Sequence, residues 1–194
     1  MKLTYKIMLL VISVLLVVAI TLGTSYSMWK KVVVQEGENT IESSCFKIEF
    51  TEASNINLTN AMPVSDDVGL TKTPYVFTIK NTCDIASKAT IALNVKKTST
   101  MSTGAIKYFF KSNDTTDTGT KGLITLLTSA TISADDTTTK ESYLLKSDYV
   151  EAGGSKTYTL NLWMDESASN TEMSKVFNAK VSVINEATKS NTSN

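Results

Sequence analysis

The sequence has 194 residues, with 19 Lys plus Arg against 19 Asp plus Glu, two cysteines and no histidine. Without imidazole there is no Ser-His-Asp triad, no Cys-His pair and no H-E-x-x-H zinc site, although carboxylate pairs and Ser-Lys dyads stay chemically open. The lysines stand singly or in pairs such as Lys30, Lys31 and Lys96, Lys97. They are too scattered to displace counterions from a phosphate backbone, so no nucleic-acid partner is expected.

The chain opens with Lys2 and Lys6 ahead of an apolar run from Ile7 to Leu22, broken only by Ser13 and Thr21 and followed by Gly23-Thr24-Ser25-Tyr26-Ser27. That order is n-region, h-region and cleavage site. Ser25 and Ser27 fill the two small-residue positions, which predicts cleavage after Ser27 and a mature chain that starts at Met28. The alternative is an uncleaved anchor, because a helix from Ile7 to Trp29 reaches about 34 Å against a hydrocarbon core of about 30 Å. Under either reading everything from Met28 onward lies outside the membrane. The expected location is therefore secreted or cell-surface, with a membrane met only through the leader and a signal peptidase as the partner in export. Losing Lys2 and Lys6 with the leader gives a mature net charge of about −2.

Residues 28–188 read as one β domain, and the polar residues 189–194 as a disordered tail. The first stretch, Met28-Trp29-Lys30-Lys31-Val32-Val33-Val34-Gln35, is extended and β-branched. It is either an ordinary first strand or, through Trp29, Lys30, Lys31, Val32, Val33 and Val34, a strand donated to the sheet edge of a neighbouring copy. Phe46, Ile48 and Phe50 then alternate with Lys47 and Glu49, and Tyr75, Phe77 and Ile79 with Val76, Thr78 and Lys80. The rhythm continues through Ala89, Ile91, Leu93 and Val95, then Ile106, Tyr108 and Phe110. It returns in Tyr158, Leu160, Leu162 and Met164, and last in Phe177, Ala179, Val181 and Val183. A period of two with one dry face is the mark of a half-buried strand. Weaker strands are expected over 123–127, 129–132 and 143–145, loops over 60–74, 111–120, 134–140 and 151–154, and one helical turn over 171–175. The predicted fold is all-β: a two-sheet antiparallel β-sandwich, of jelly-roll rather than immunoglobulin-like connectivity, preceded by an N-terminal signal or transmembrane helix.

Outside the cell Cys45 and Cys83 are free to oxidise, and a bridge between them stabilises the fold by about 4 kcal/mol. By alternation Cys45 points away from Phe46, whereas Cys83 shares the face of Phe77. A bridge thus needs one of them at a strand end; two unpaired small residues are the alternative. The carboxylate pairs Asp66, Asp67 and Asp114, Asp117 and Asp135, Asp136 and Asp165, Glu166 read as solvated turn residues rather than calcium ligands. No metal and no other cofactor is expected. Trp163 faces away from Leu162 and is expected to lie under a loop.

Near the C-terminus a buried strand, Tyr158 to Met164, ends in an acidic corner and the chain returns through Phe177 to Val181. With Trp163, Asp165, Asn170 and Phe177, this segment resembles the TasA and camelysin family of exported Gram-positive proteins. The Ser-Tyr-Ser-Met-Trp junction is similar to that of leaders handled by the family's dedicated signal peptidase. The resemblance implies a jelly-roll subunit of a cell-surface or biofilm-matrix fibre, partnered by copies of itself or a related matrix subunit through donated N-terminal strands. Camelysin is also described as a metalloprotease, a reading that the missing histidine opposes. Two other classes are kept open: a monomeric membrane-anchored binding or adhesion module, and an enzyme that works with carboxylates alone.

Overall fold

The structure is a computed structural model that describes residues 30–34, 40–43, 46–50, 56–131 and 136–187. The leader with Ser25, Ser27 and Met28, then Trp29, Cys45 and the tail 189–194, lie outside the described residues. No helix among the described residues is long and apolar enough to cross a membrane.

Residues Val32–Asn194 form one compact unit. The strands are β1 (Lys30–Val34), β2 (Thr40–Ser43), β3 (Phe46–Phe50), β4 (Ile56–Leu58), β5 (Tyr75–Asn81), β6 (Ser87–Lys96), β7 (Ile106–Ser112), β8 (Thr120–Leu123), β9 (Thr139–Val150), β10 (Ser155–Met164) and β11 (Phe177–Ala187). They form two sheets, one ordered β1-β11-β6-β9 with β4 also on β11, the other β2-β3-β5-β10-β7-β8. From β4 onward each successive strand changes sheet, except that β7 and β8 pair as a hairpin.

The molecule is a β-sandwich because each sheet has one dry face and the two dry faces meet. One side supplies Ala89, Ile91, Leu93, Val95, Ala179, Val181 and Val183; the other supplies Phe77, Ile79, Ile106, Tyr108, Phe110, Tyr158, Leu160 and Leu162. Tyr158 lies opposite Phe77 in the ladder, and its ring stacks on Phe77 at 5.4 Å and on Phe110 at 5.6 Å between centroids. Its hydroxyl donates to Asp148 Oδ2 on the opposing sheet at 3.2 Å, so one side chain spans the core and still satisfies its polar end.

Period two failed where the backbone departs from it. The expected fragment 143–145 is part of the twelve-residue β9, whose ladder with β6 shifts register between Ile91 and Ala92. One extra residue there moves the inward set from Leu145 to Val150 and erases the alternation from the sequence. The expected strand 123–127 is instead a 3-10 turn over Ile124–Leu126 after β8. Loop 60–74 carries the short helix α1 (Asp66–Leu70), and the expected helical turn is a 3-10 turn over Asn170–Glu172. The short strands β2 and β4 carry too few residues to show a period.

Two chain reversals meet at Asn81, the last residue of β5. Its side-chain Nδ2 lies 2.8 Å from Ile85 O, 3.0 Å from Val150 O and 3.1 Å from Glu151 O, while its Oδ1 accepts from Cys83 N at 3.0 Å. Cys83 itself is disulfide-bonded. Because β5 has ended before it, the alternation that seemed to direct Cys83 into the core does not apply to it. Phe46 pairs with Asn81, so β3 begins at the end of the sheet where the Cys83 turn leaves it. Replacing Asn81 by Ala leaves buried carbonyls unpaired; we expect a loss of about 2–3 kcal/mol in urea unfolding, with the slope of the transition unchanged.

Candidate functional site

The acidic corner after β10 is where sequence signals converge. Leu160, Leu162 and Met164 point into the sandwich, so Asn161 and Trp163 point out, yet Trp163 is only 1% exposed. What covers it is the connection from β4 to β5, which crosses the outside of the sheet. Val64 N donates to Met164 O at 3.1 Å, Asn161 Nδ2 donates to Lys72 O at 2.8 Å, and α1 lies over the indole between them. Gly69 makes this approach possible, since any Cβ there would run into the Trp163 ring.

Lysines fasten the cover. Lys107 Nζ reaches Asp165 Oδ1 at 2.9 Å and Asp66 Oδ1 at 3.0 Å, and Lys121 Nζ reaches Asp66 Oδ2 at 2.7 Å. Asp165 also accepts from Ser167 Oγ at 2.5 Å, and its backbone N–H donates to Ala105 O at 2.9 Å. The ammoniums of Lys121 and Lys107 hold the Asp66 carboxyl below its ordinary value. Burial works against the charge of Asp165, but Ser167 and Lys107 outweigh it and lower that carboxyl too. Lys107 is raised in turn, by Asp165 first and then Asp66.

The same arrangement corrects the reading of the carboxylate pairs as solvated. Asp66 and Asp165 hold the cover, Asp117 Oδ2 lies 2.6 Å from Lys146 Nζ, and Asp136 Oδ2 lies 3.0 Å from Lys180 Nζ. Asp67, Asp114 and Glu166 are exposed as expected, and Asp135 is outside the described residues. Among the described residues no three His, Cys, Asp or Glu side chains are grouped so as to hold a metal.

No protein-family model and no curated protein matches this chain. The remaining residues singled out in the sequence fall as follows. Asn170 opens the 3-10 turn, behind the cap in which Ser169 Oγ accepts from Thr171 N. Phe177 is fully buried at the start of β11, opposite Leu58. Trp163 and Asp165 therefore share one corner, Asn170 opens the turn that follows it, and Phe177 belongs to the core. Lys30 to Val34 form β1, which takes an edge beside β11. Lys107, Lys121 and Gly69 were missed; the only sequence signal for the two lysines is parity, which places them on the outward face of their strands, and Gly69, in α1, has none.

Two outcomes test the corner. Gly69→Ala displaces α1 from the indole and should lower stability by about 1–3 kcal/mol by thermal unfolding. Folding lowers the carboxyl pKa of Asp66 and Asp165, so their contribution is complete above the ordinary 3.8 and is lost as pH falls through the folded values. In a Trp29→Phe background, Trp163 emission should shift to the red over that acid range, and Lys107→Met should remove the step.

Proposed function

We propose that this chain is an exported, non-catalytic structural subunit of a cell-surface or biofilm-matrix fibre, a jelly-roll domain of the TasA and camelysin type that joins to its neighbours through its N-terminal strand. What supports the jelly roll is the strand order β4-β11-β6-β9 facing β5-β10-β7-β8, with β3 and β2 extending the second sheet. The observation that carries the assembly reading is the place of β1. It is a five-residue strand on the edge of a sheet that is continuous through β11, β6 and β9 without it. Main-chain hydrogen bonds do not distinguish a strand of the same chain from the same strand of another copy, and a head-to-tail exchange of this kind propagates unless its rotation closes. The missing histidine supports a role without proteolysis.

A monomeric surface-binding module is the second reading, and the exposed apolar side chains of the cover, Met62, Val68 and Leu70, favour it. Light scattering and electron microscopy of the exported product separate the two. Intact mature protein should form polymers, and protein lacking Met28 to Gln35 should stay monomeric while keeping its sandwich by circular dichroism. Polymers from the shortened protein would end the strand-donation reading, and a monomeric intact product would favour the binding module.

A further inference from the structure

The outward face of the other sheet holds a buried group of polar side chains that the proposed assembly does not use. Lys180 on β11 and Asn94 on β6 are direct partners in the antiparallel ladder. Val181 and Ala179 face the core, as do Leu93 and Val95, so both side chains emerge on the same outer face. There they are 2% and 0% exposed. Facing pairs in such a ladder have Cβ atoms about 5 Å apart, well within the reach of a lysine.

Each polar group around them is set for one chemistry. Lys180 Nζ lies 3.0 Å from Asp136 Oδ2, with side-chain exposures of 3% and 6%, and 3.1 Å from Thr138 Oγ1. Asn94 Oδ1 accepts from Ser142 Oγ at 2.7 Å, which polarises its carbonyl toward nucleophilic attack. Its Nδ2 is buried with no hydrogen-bond partner. A buried ammonium and an orphaned amide N–H₂ both cost stability, and one covalent change removes both, while Asp136 keeps the Thr138 N–H and the Thr138 and Thr139 hydroxyls as donors.

We propose that Lys180 and Asn94 form an intramolecular isopeptide bond, with Asp136 as the carboxylate that carries the proton. Lys180 Nζ gives a proton to Asp136 and attacks Asn94 Cγ. Ser142 Oγ–H stabilises the oxyanion that develops on Oδ1. The C–N bond to Nδ2 then breaks as Asp136 returns the proton to it. The products are a secondary amide and ammonia, and the lysine's remaining surplus proton leaves with the ammonia as ammonium. No oxidant and no external reagent enters.

Burial works against the charge of Asp136, but the hydroxyls of Thr139 and Thr138 and the Lys180 ammonium overcome it and hold the carboxyl below its ordinary range. Proton transfer from Lys180 is therefore uphill and the step slow, which a bond made once per molecule tolerates.

The test is the intact mass of the purified chain after reduction and denaturation. The wild type should lie about 17 Da below the sum of its residues, the mass of one ammonia. Trypsin should then leave Lys180 uncut and join Ala89–Lys96 to Val176–Lys189. Lys180→Met, Asn94→Ala and Asp136→Ala should each restore the unmodified mass, Asp136→Ala although both bonding partners remain. A wild type at its full residue mass overturns the proposal without recourse to any variant. So does a loss of about 18 Da with Lys180 joined to the Asp136 peptide, which is loss of water and a different bond. A deficit that persists in Asn94→Ala overturns it as well.

Discussion

The triangle of stacked rings formed by Tyr158, Phe77 and Phe110, with the Tyr158 hydroxyl tied to Asp148 across the sandwich, fixes how far apart the sheets stand and how they align. Those rings sit on β5, β10 and β7, adjacent strands of one sheet, and they face the aliphatic side chains of β6 and β11. Aromatic area on one side and branched aliphatics on the other meet across the gap between the sheets. Once that spacing is set, the outward residues of the central strands have nowhere to retreat. They become surfaces that the long connections cross and dry.

Drying a second face explains the charge pattern. A connection laid over a sheet brings backbone and side-chain polar groups out of water, and these must be paired. In this protein a lysine of a strand meets an aspartate of a loop: Lys107 with Asp66 and Asp165, Lys146 with Asp117, Lys180 with Asp136. Pairs of this kind add little net stability over an apolar alternative. Leaving one member alone in a dry place is costly, so they fix where each loop lies.

How much of this was legible follows from the range of each signal. Ile91, Leu93 and Val95, or Tyr158, Leu160 and Leu162, announce a dry face within six residues, and there the chain folds as its rhythm says. The bulge between Ile91 and Ala92 hides β9, because an extra residue inverts the alternation without altering composition. Asp66 and Asp165 looked solvated, because the lysine that holds both stands 41 residues from one and 58 from the other. Nearly every strand from β4 onward pairs with strands distant in sequence, so neighbours along the chain carry almost no information about neighbours in space. Gly69 is visible as a glycine but acquires its meaning only from the indole beneath it.

The sharing of β11 has a mechanical consequence. One edge of β11 runs along β6 from Ala179 to Ala187, and the other is divided between β4, at Phe177 to Ala179, and β1. Tension applied through β1 therefore enters the sheet at a strand paired on both edges rather than at a free margin. From β11 the load spreads through the long β6 ladder, whose bonds lie across the strands, so that a pull along the strand axis shears them together rather than unzipping them one by one. A sandwich wired this way resists being pulled in line more than being peeled from the side.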